Sequence, residues 1–210
     1  MPVVRLVEVD AASVVNLCHP ARDAVIIRDW RGRRDWHDPL YDPVRDLMER
    51  VYVEEFDREN GHYRRLEESV LRDGVKAPVM LVSGGVRRRR VSEMPPHLRD
   101  RPDLLVCEYL GGSRLYIAAK HAMRVPAVVN DFADLFPGAP ELRTVEDVAA
   151  AFPVPPKVIR LDPIDGAYVN DMDYSHMPAG YDLEAQIPVR RRVVEKVRAA
   201  VDGWLAENDR

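Results

Sequence analysis

The chain has 210 residues, 46% of them hydrophobic and 31% charged, with a formal net charge of −4; this is the balance of an ordinary globular protein long enough for one sizeable core. The acidity argues against a generic nucleic-acid coat but leaves room for a local basic patch. No apolar run approaches a membrane span, and residues 1–6 lack the apolar core of a signal peptide, so a cytoplasmic protein without a membrane partner is expected.

In chain order, residues 3–9 alternate apolar and polar side chains, the pattern of a strand. Ser13 suits the cap of a short turn into Val14, Val15 and Leu17, and residues 24–27 read as a second strand. The polar stretch 28–39, with Trp30 and Trp36, reads either as a surface loop pinned by two indoles or as a lid over a substrate. Helical spacing begins near Asp42 and Pro43 and puts Leu47, Met48, Val51, Tyr52 and Phe56 on one side. Gly61 breaks it, and a second helix carries Tyr63, Leu66 and Val70 to a glycine stop at Gly74. Pro78 then leads a strand through Val82.

Residues 104–107 form an apolar run suited to a buried strand, followed by Gly111, Gly112, Ser113 and Arg114, a helical pattern and a strand over 125–129. Further on, Thr144 caps a helix within 142–152, Pro153, Pro155 and Pro156 interrupt, and 158–161 read as a strand. Those prolines argue against a helix-turn-helix. Residues 162–181 read as irregular structure. The last helix, about 188–206, carries Val193, Val194, Val197, Val201, Trp204 and Leu205 on one stripe, for packing on the core or alternatively for a dimer.

The strand, glycine turn and helix at 104–119 have the equipment to hold phosphate oxygens. Glycines let the backbone approach closely, a helix start offers free N–H groups, and Ser113 and Arg114 add a hydroxyl and a fork of donors. The same glycines can instead serve a purely steric need. Several chemistries are excluded: there is no Walker-type phosphate loop, no zinc-spaced His/Cys cluster and no Gly-x-Ser-x-Gly elbow. The two cysteines, Cys18 and Cys107, lie far apart in apolar surroundings and read as buried thiols of a reducing compartment.

Two segments in order carry a resemblance. Ser69, Val70, Gly74, Pro78 and Val79 match a Ser-Ile-x-x-x-Gly-x-x-x-Pro-Ile pattern, and Gly111, Arg114, Ala118 and Pro126 match Gly-x-x-Arg-x-x-Ala-Ala followed by Val-Pro. Over roughly 60–131 the chain thus resembles the ParB and sulfiredoxin superfamily. The resemblance implies an α/β (α+β) fold, a small mixed sheet with flanking helices. It divides the chain into a nucleotide-binding domain over 1–135, with an insertion at about 83–102, and a C-terminal extension over 136–210 ending in an amphipathic helix. Departures narrow the activity. Ser113 stands where sulfiredoxins carry their reactive cysteine, the recognition helix of partition proteins is missing, and Leu110 stands where the superfamily's free-serine kinases place an acid.

What the resemblance implies is a kinase using ATP or another nucleoside triphosphate with Mg²⁺, acting on a hydroxyl acceptor such as a hydroxymethylated base in DNA. The alternatives are a nucleotide-controlled DNA clamp and a ParB-like nuclease. Gly74, Lys76, Pro78, Gly111, Gly112, Ser113 and Arg114 would hold the nucleotide. Arg87, Arg88, Arg89 and Arg90 suit a nucleic-acid backbone, or else a solvated hairpin loop. For the catalytic carboxylate the first choice is the loop of Asp35, His37 and Asp38, since a histidine can share a proton with a neighbouring acid. Glu108 is second, with Glu68 and Asp131 behind it. The sequence leaves the oligomeric state open.

Overall fold

The computed structural model describes residues 3–16, 42–83, 101, 103–107, 110–153, 158–164, 166–171 and 183–208. Within them the chain is a mixed α/β protein built on a five-stranded mixed sheet with flanking helices. Strand β1 (Val3–Asp10) leads through a 3₁₀ turn (Ala11–Ser13) into β2 (Val14–Asn16). Helices α1 (Asp42–Asn60) and α2 (His62–Asp73) follow, then β3 (Val79–Ser83), β4 (Leu105–Cys107), α3 (Gly112–Lys120) and β5 (Arg124–Asp131). The remainder is α4 (Val145–Ala150), the hairpin β6 (Val158–Asp162) and β7 (Gly166–Asp171), and α5 (Leu183–Asn208).

The sheet order is β1-β5-β3-β4-β2. β1 pairs antiparallel with β5, β5 parallel with β3, β3 antiparallel with β4, and β4 parallel with β2. β3 is central, and all five of its residues are buried. Its side chains alternate between two cores, as strand geometry requires. Val79 and Leu81 join Ala127 and Val129 against the helices, with Tyr52 and Phe56 of α1, Leu115 and Ile117 of α3 and Val193 and Val197 of α5. Met80 and Val128 face the other way, onto Val148 and Phe152 at α4 and Ile159 and Ala167 of the hairpin. Side chains of this size each contribute about 1.5–3 kcal/mol on full burial, so both cores are substantial.

The valine stripe of α5 packs on α1. Arg192 pairs with Glu59 and Lys196 with Glu55, so the two helices run antiparallel. At the α1–α2 corner Gly61 takes φ +62°, and the Asp57 carboxylate accepts from the amides of Tyr63 at 2.5 Å and Arg64 at 2.8 Å. That carboxylate satisfies two of the amides a helix start leaves open.

Two local expectations are corrected. Asp10, not Ser13, caps the 3₁₀ turn, accepting from Ala12 N at 3.0 Å, because its side chain sits two residues ahead of an open amide. The helix expected within 142–152 forms over 145–150, with Thr144 as its cap and the capping box with Asp147 complete. The stretch expected to be irregular from 162 contains β7, whose pairing with β6 outweighs its turn-rich composition. The strand expected at 24–27 lies outside the described residues, as does most of the arginine-bearing insertion. Among the described residues no helix is long and apolar enough to cross a membrane.

Candidate functional site

Because β3 and β4 are antiparallel, the start of one lies beside the end of the other, and the two sequence motifs meet there. Met80 N donates to Leu110 O at 2.9 Å, drawing the turn after β4 onto the head of β3. Cys107, fully buried, donates its thiol to the same carbonyl at 3.6 Å. Gly111 sits at φ +106°, and a Cβ there would stand 2.5 Å from Val79 Cγ1 and 3.1 Å from Val79 Cα. The first glycine therefore has a steric reason to be present, as well as leaving the backbone accessible.

Helix α3 begins at once. Its first intrahelical bond is Leu115 N to Gly111 O at 2.8 Å, and among the described residues the amides of Gly112, Ser113 and Arg114 have no partner. Asn16, at the end of β2, donates Nδ2 to Gly112 O at 2.8 Å and holds the turn from the other side. Ser113 Oγ donates to the Tyr63 hydroxyl at 3.2 Å. Arg114 folds back, and its Nη1 donates to the carbonyl of Ala77 in the first motif. Burial pushes the guanidinium down to about 10, opposed only by Cys107, so it remains a cation at neutral pH. Among the described residues it has no carboxylate partner.

The other members of the first motif do different things. Gly74 terminates α2 at φ +75°, its amide donating to Val70 O at 2.9 Å. Lys76 is exposed and paired with Asp73 at 3.2 Å. Arg72 first and then Lys76 hold the Asp73 carboxyl below its usual value. Pro78 is buried at the entry to β3. The contacts therefore join Ala77, Val79 and Met80 to the turn, while Lys76 is engaged elsewhere.

Asp35, His37, Asp38, Glu108 and Arg87 to Arg90 lie outside the described residues. Glu68 is exposed on α2. Asp131 is an internal tie at the far end of β3. It accepts from Ser83 Oγ at 2.6 Å, Leu135 N at 3.0 Å and Phe136 N at 2.9 Å, and lies 3.6 Å from Arg5. Burial pushes its carboxyl up, but those bonds together outweigh burial and hold it below the ordinary value. Its lone pairs are taken by the protein.

Two residues that build the turn were missed in the sequence. Tyr63 shows there only as one apolar position of a helix, and Asn16 only as the polar residue closing Val14-Val15. Among the described residues no three His, Cys, Asp or Glu side chains lie together as a metal group. Comparison with protein-family models, with curated proteins and with solved structures finds no match to this chain.

Proposed function

We propose that the chain is a ParB/sulfiredoxin-like domain that binds a nucleoside triphosphate at the turn 110–114 and passes its terminal phosphate to a hydroxyl acceptor. One observation carries the reading. Arg114, half-buried and without a carboxylate among the described residues, sits at the N-terminus of α3 beside three open amides and braces the first motif through Ala77. A cation and a helix start that meet no anion among the described residues are suited to phosphate oxygens. The donors fit a polyphosphate.

The described residues do not supply a carboxylate cluster for Mg²⁺. In the transfer, the acceptor oxygen bonds to the terminal phosphorus and the bond to the bridging oxygen breaks, releasing the nucleoside diphosphate. The acceptor proton goes to a carboxylate, for which Asp35, Asp38 and Glu108 are the choices. The acceptor class includes hydroxymethylated bases in DNA, with Arg87 to Arg90 on its backbone. In this reading the protein works in the cytoplasm.

The test is titration calorimetry with ATP, followed by labelled ATP with hydroxyl acceptors. Arg114→Ala is expected to weaken binding about ten- to a hundredfold, the value of about 1.5–3 kcal/mol for a charge-assisted hydrogen bond. Label on the acceptor supports the kinase. Label released only as free phosphate favours the hydrolysing DNA clamp, and cut DNA the nuclease. A parent chain that binds no nucleotide overturns the reading.

A further inference from the structure

We propose that Tyr63 is a positioning residue for the turn: its hydroxyl fixes Ser113 Oγ at the start of α3, and nucleotide affinity depends on Tyr63 through Ser113. This rests on the nucleotide reading above.

The ring of Tyr63 is only 2% exposed and is boxed on several sides. Tyr52, Phe56, His62 and Tyr116 stand edge-on to it, with centroids 6.2, 6.0, 5.4 and 6.2 Å away. Its backbone amide is held by Asp57 at 2.5 Å. The side chain therefore has no room to swing, and its hydroxyl is a fixed point within the helical layer. Ser113 is different. It lies in the first turn of α3, is only partly buried, and a serine hydroxyl there has three staggered rotamers to choose from. The 3.2 Å bond to Tyr63 selects one of them.

Packing alone does not account for this pair, because phenylalanine would fill the same ring space; the hydroxyl is what tyrosine adds. Two bonded hydroxyls can exchange donor and acceptor without moving a heavy atom. Ser113 can thus accept from Tyr63 while donating outward to a phosphate oxygen, next to the open amides of the helix start. Asn16 on Gly112 O fixes the backbone of the same turn, so side chain and main chain are positioned by separate elements.

The experiment is a double-mutant cycle in ATP affinity on the full chain, using calorimetry for the parent, Tyr63→Phe, Ser113→Ala and the double variant, with Arg114→Ala as a reference. Each single substitution is expected to weaken ATP about three- to tenfold, and the double no more than the weaker single, because both remove one coupled arrangement. Ser113→Thr, which keeps the hydroxyl, should remain sensitive to Tyr63→Phe. Losses that multiply would make Tyr63 a general support of the fold and overturn the inference. So would parental affinity in Tyr63→Phe alongside the loss in Arg114→Ala, an outcome that leaves the nucleotide reading standing. A parent chain that binds no ATP takes both down.

Discussion

The side chain of Arg5, on β1, reaches Asp131 beside the end of β3, while that of Arg114 reaches Ala77 just before its start, and the surroundings of the two arginines differ in kind. Arg5 is 5% exposed and meets three carboxylates, Asp131 at 3.6 Å, Asp134 at 3.2 Å and Glu141 at 3.9 Å, while donating to Ala139 O at 2.9 Å. Its charge is answered within the fold and ties the segment 132–141 to the sheet. Among the described residues Arg114 has a single backbone carbonyl and no acid. Burying a cation without an anion is costly. Among the described residues one arginine is surrounded by carboxylates and the other meets none, and in the function proposed above it is this second end that would receive an anion.

The sharpest way to break this comparison is to remove each arginine in turn. Arg5→Leu leaves Asp131 buried without its cation and is expected to cost about 3–5 kcal/mol in urea unfolding. Arg114→Met should change stability by under about 1.5 kcal/mol, since one hydrogen bond among the described residues is lost and its desolvation cost is relieved. Equal losses would refute the distinction. The pH profile sharpens it. Asp131 titrates lower in the folded chain than in the unfolded one, so its contribution is present above about pH 4 and disappears as the pH falls through the folded value. Asp131→Asn should flatten that acid limb, read from unfolding midpoints across acid pH.

Next in size is the turn itself. Gly111→Ala meets Val79 and must hold a positive φ, for an expected loss of about 2–4 kcal/mol. Adding Val79→Ala should recover only part of it, because the Val79 Cα stands 3.1 Å from the new Cβ and the dihedral strain stays. Full recovery would show that side-chain crowding alone requires the glycine.

The smallest effect is expected at the far end of α3, where Glu67 of α2 accepts from Lys120 at 2.8 Å and lies 2.5 Å from His121 Nε2. Lys120 first, then His121, holds the Glu67 carboxyl below its ordinary value, so the pairing acts at neutral pH and is lost on acidification. Glu67→Gln should cost about 0.2–1 kcal/mol at low salt and less at high salt, measured by urea unfolding. A larger, salt-independent loss would mean that this end, too, is a structural tie.

The strands and helices were legible wherever one period dominates. The alternation over 3–9 gave β1, and the spacing of Met48, Tyr52 and Phe56 gave α1, because burial on one face imposes that spacing. The glycine turn was legible as a feature but not in its reasons: that Gly111 abuts Val79 depends on β3 and β4 pairing, which local pattern does not encode. Tyr63 was hidden because its ring satisfies the helical period and masks the hydroxyl. Asp131 followed a strand like any exposed acid, and only the antiparallel pairing of β1 with β5 brings Arg5 near it. Contacts made across such long separations leave no mark in a window of a dozen residues.

The side chain of Asn130 behaves as a surrogate peptide unit. Its Nδ2 donates to Ala167 O at 2.9 Å and its Oδ1 accepts from Ala167 N at 2.7 Å, so one side chain forms both rungs that a neighbouring strand would offer. Gly166 makes room for it, since a Cβ there would fall 2.2 Å from Oδ1. The hairpin is therefore keyed to the sheet like a tooth in a notch. An acid at 130 could accept but not donate, and any larger residue at 166 would close the notch, so over many generations these two positions should change together or not at all.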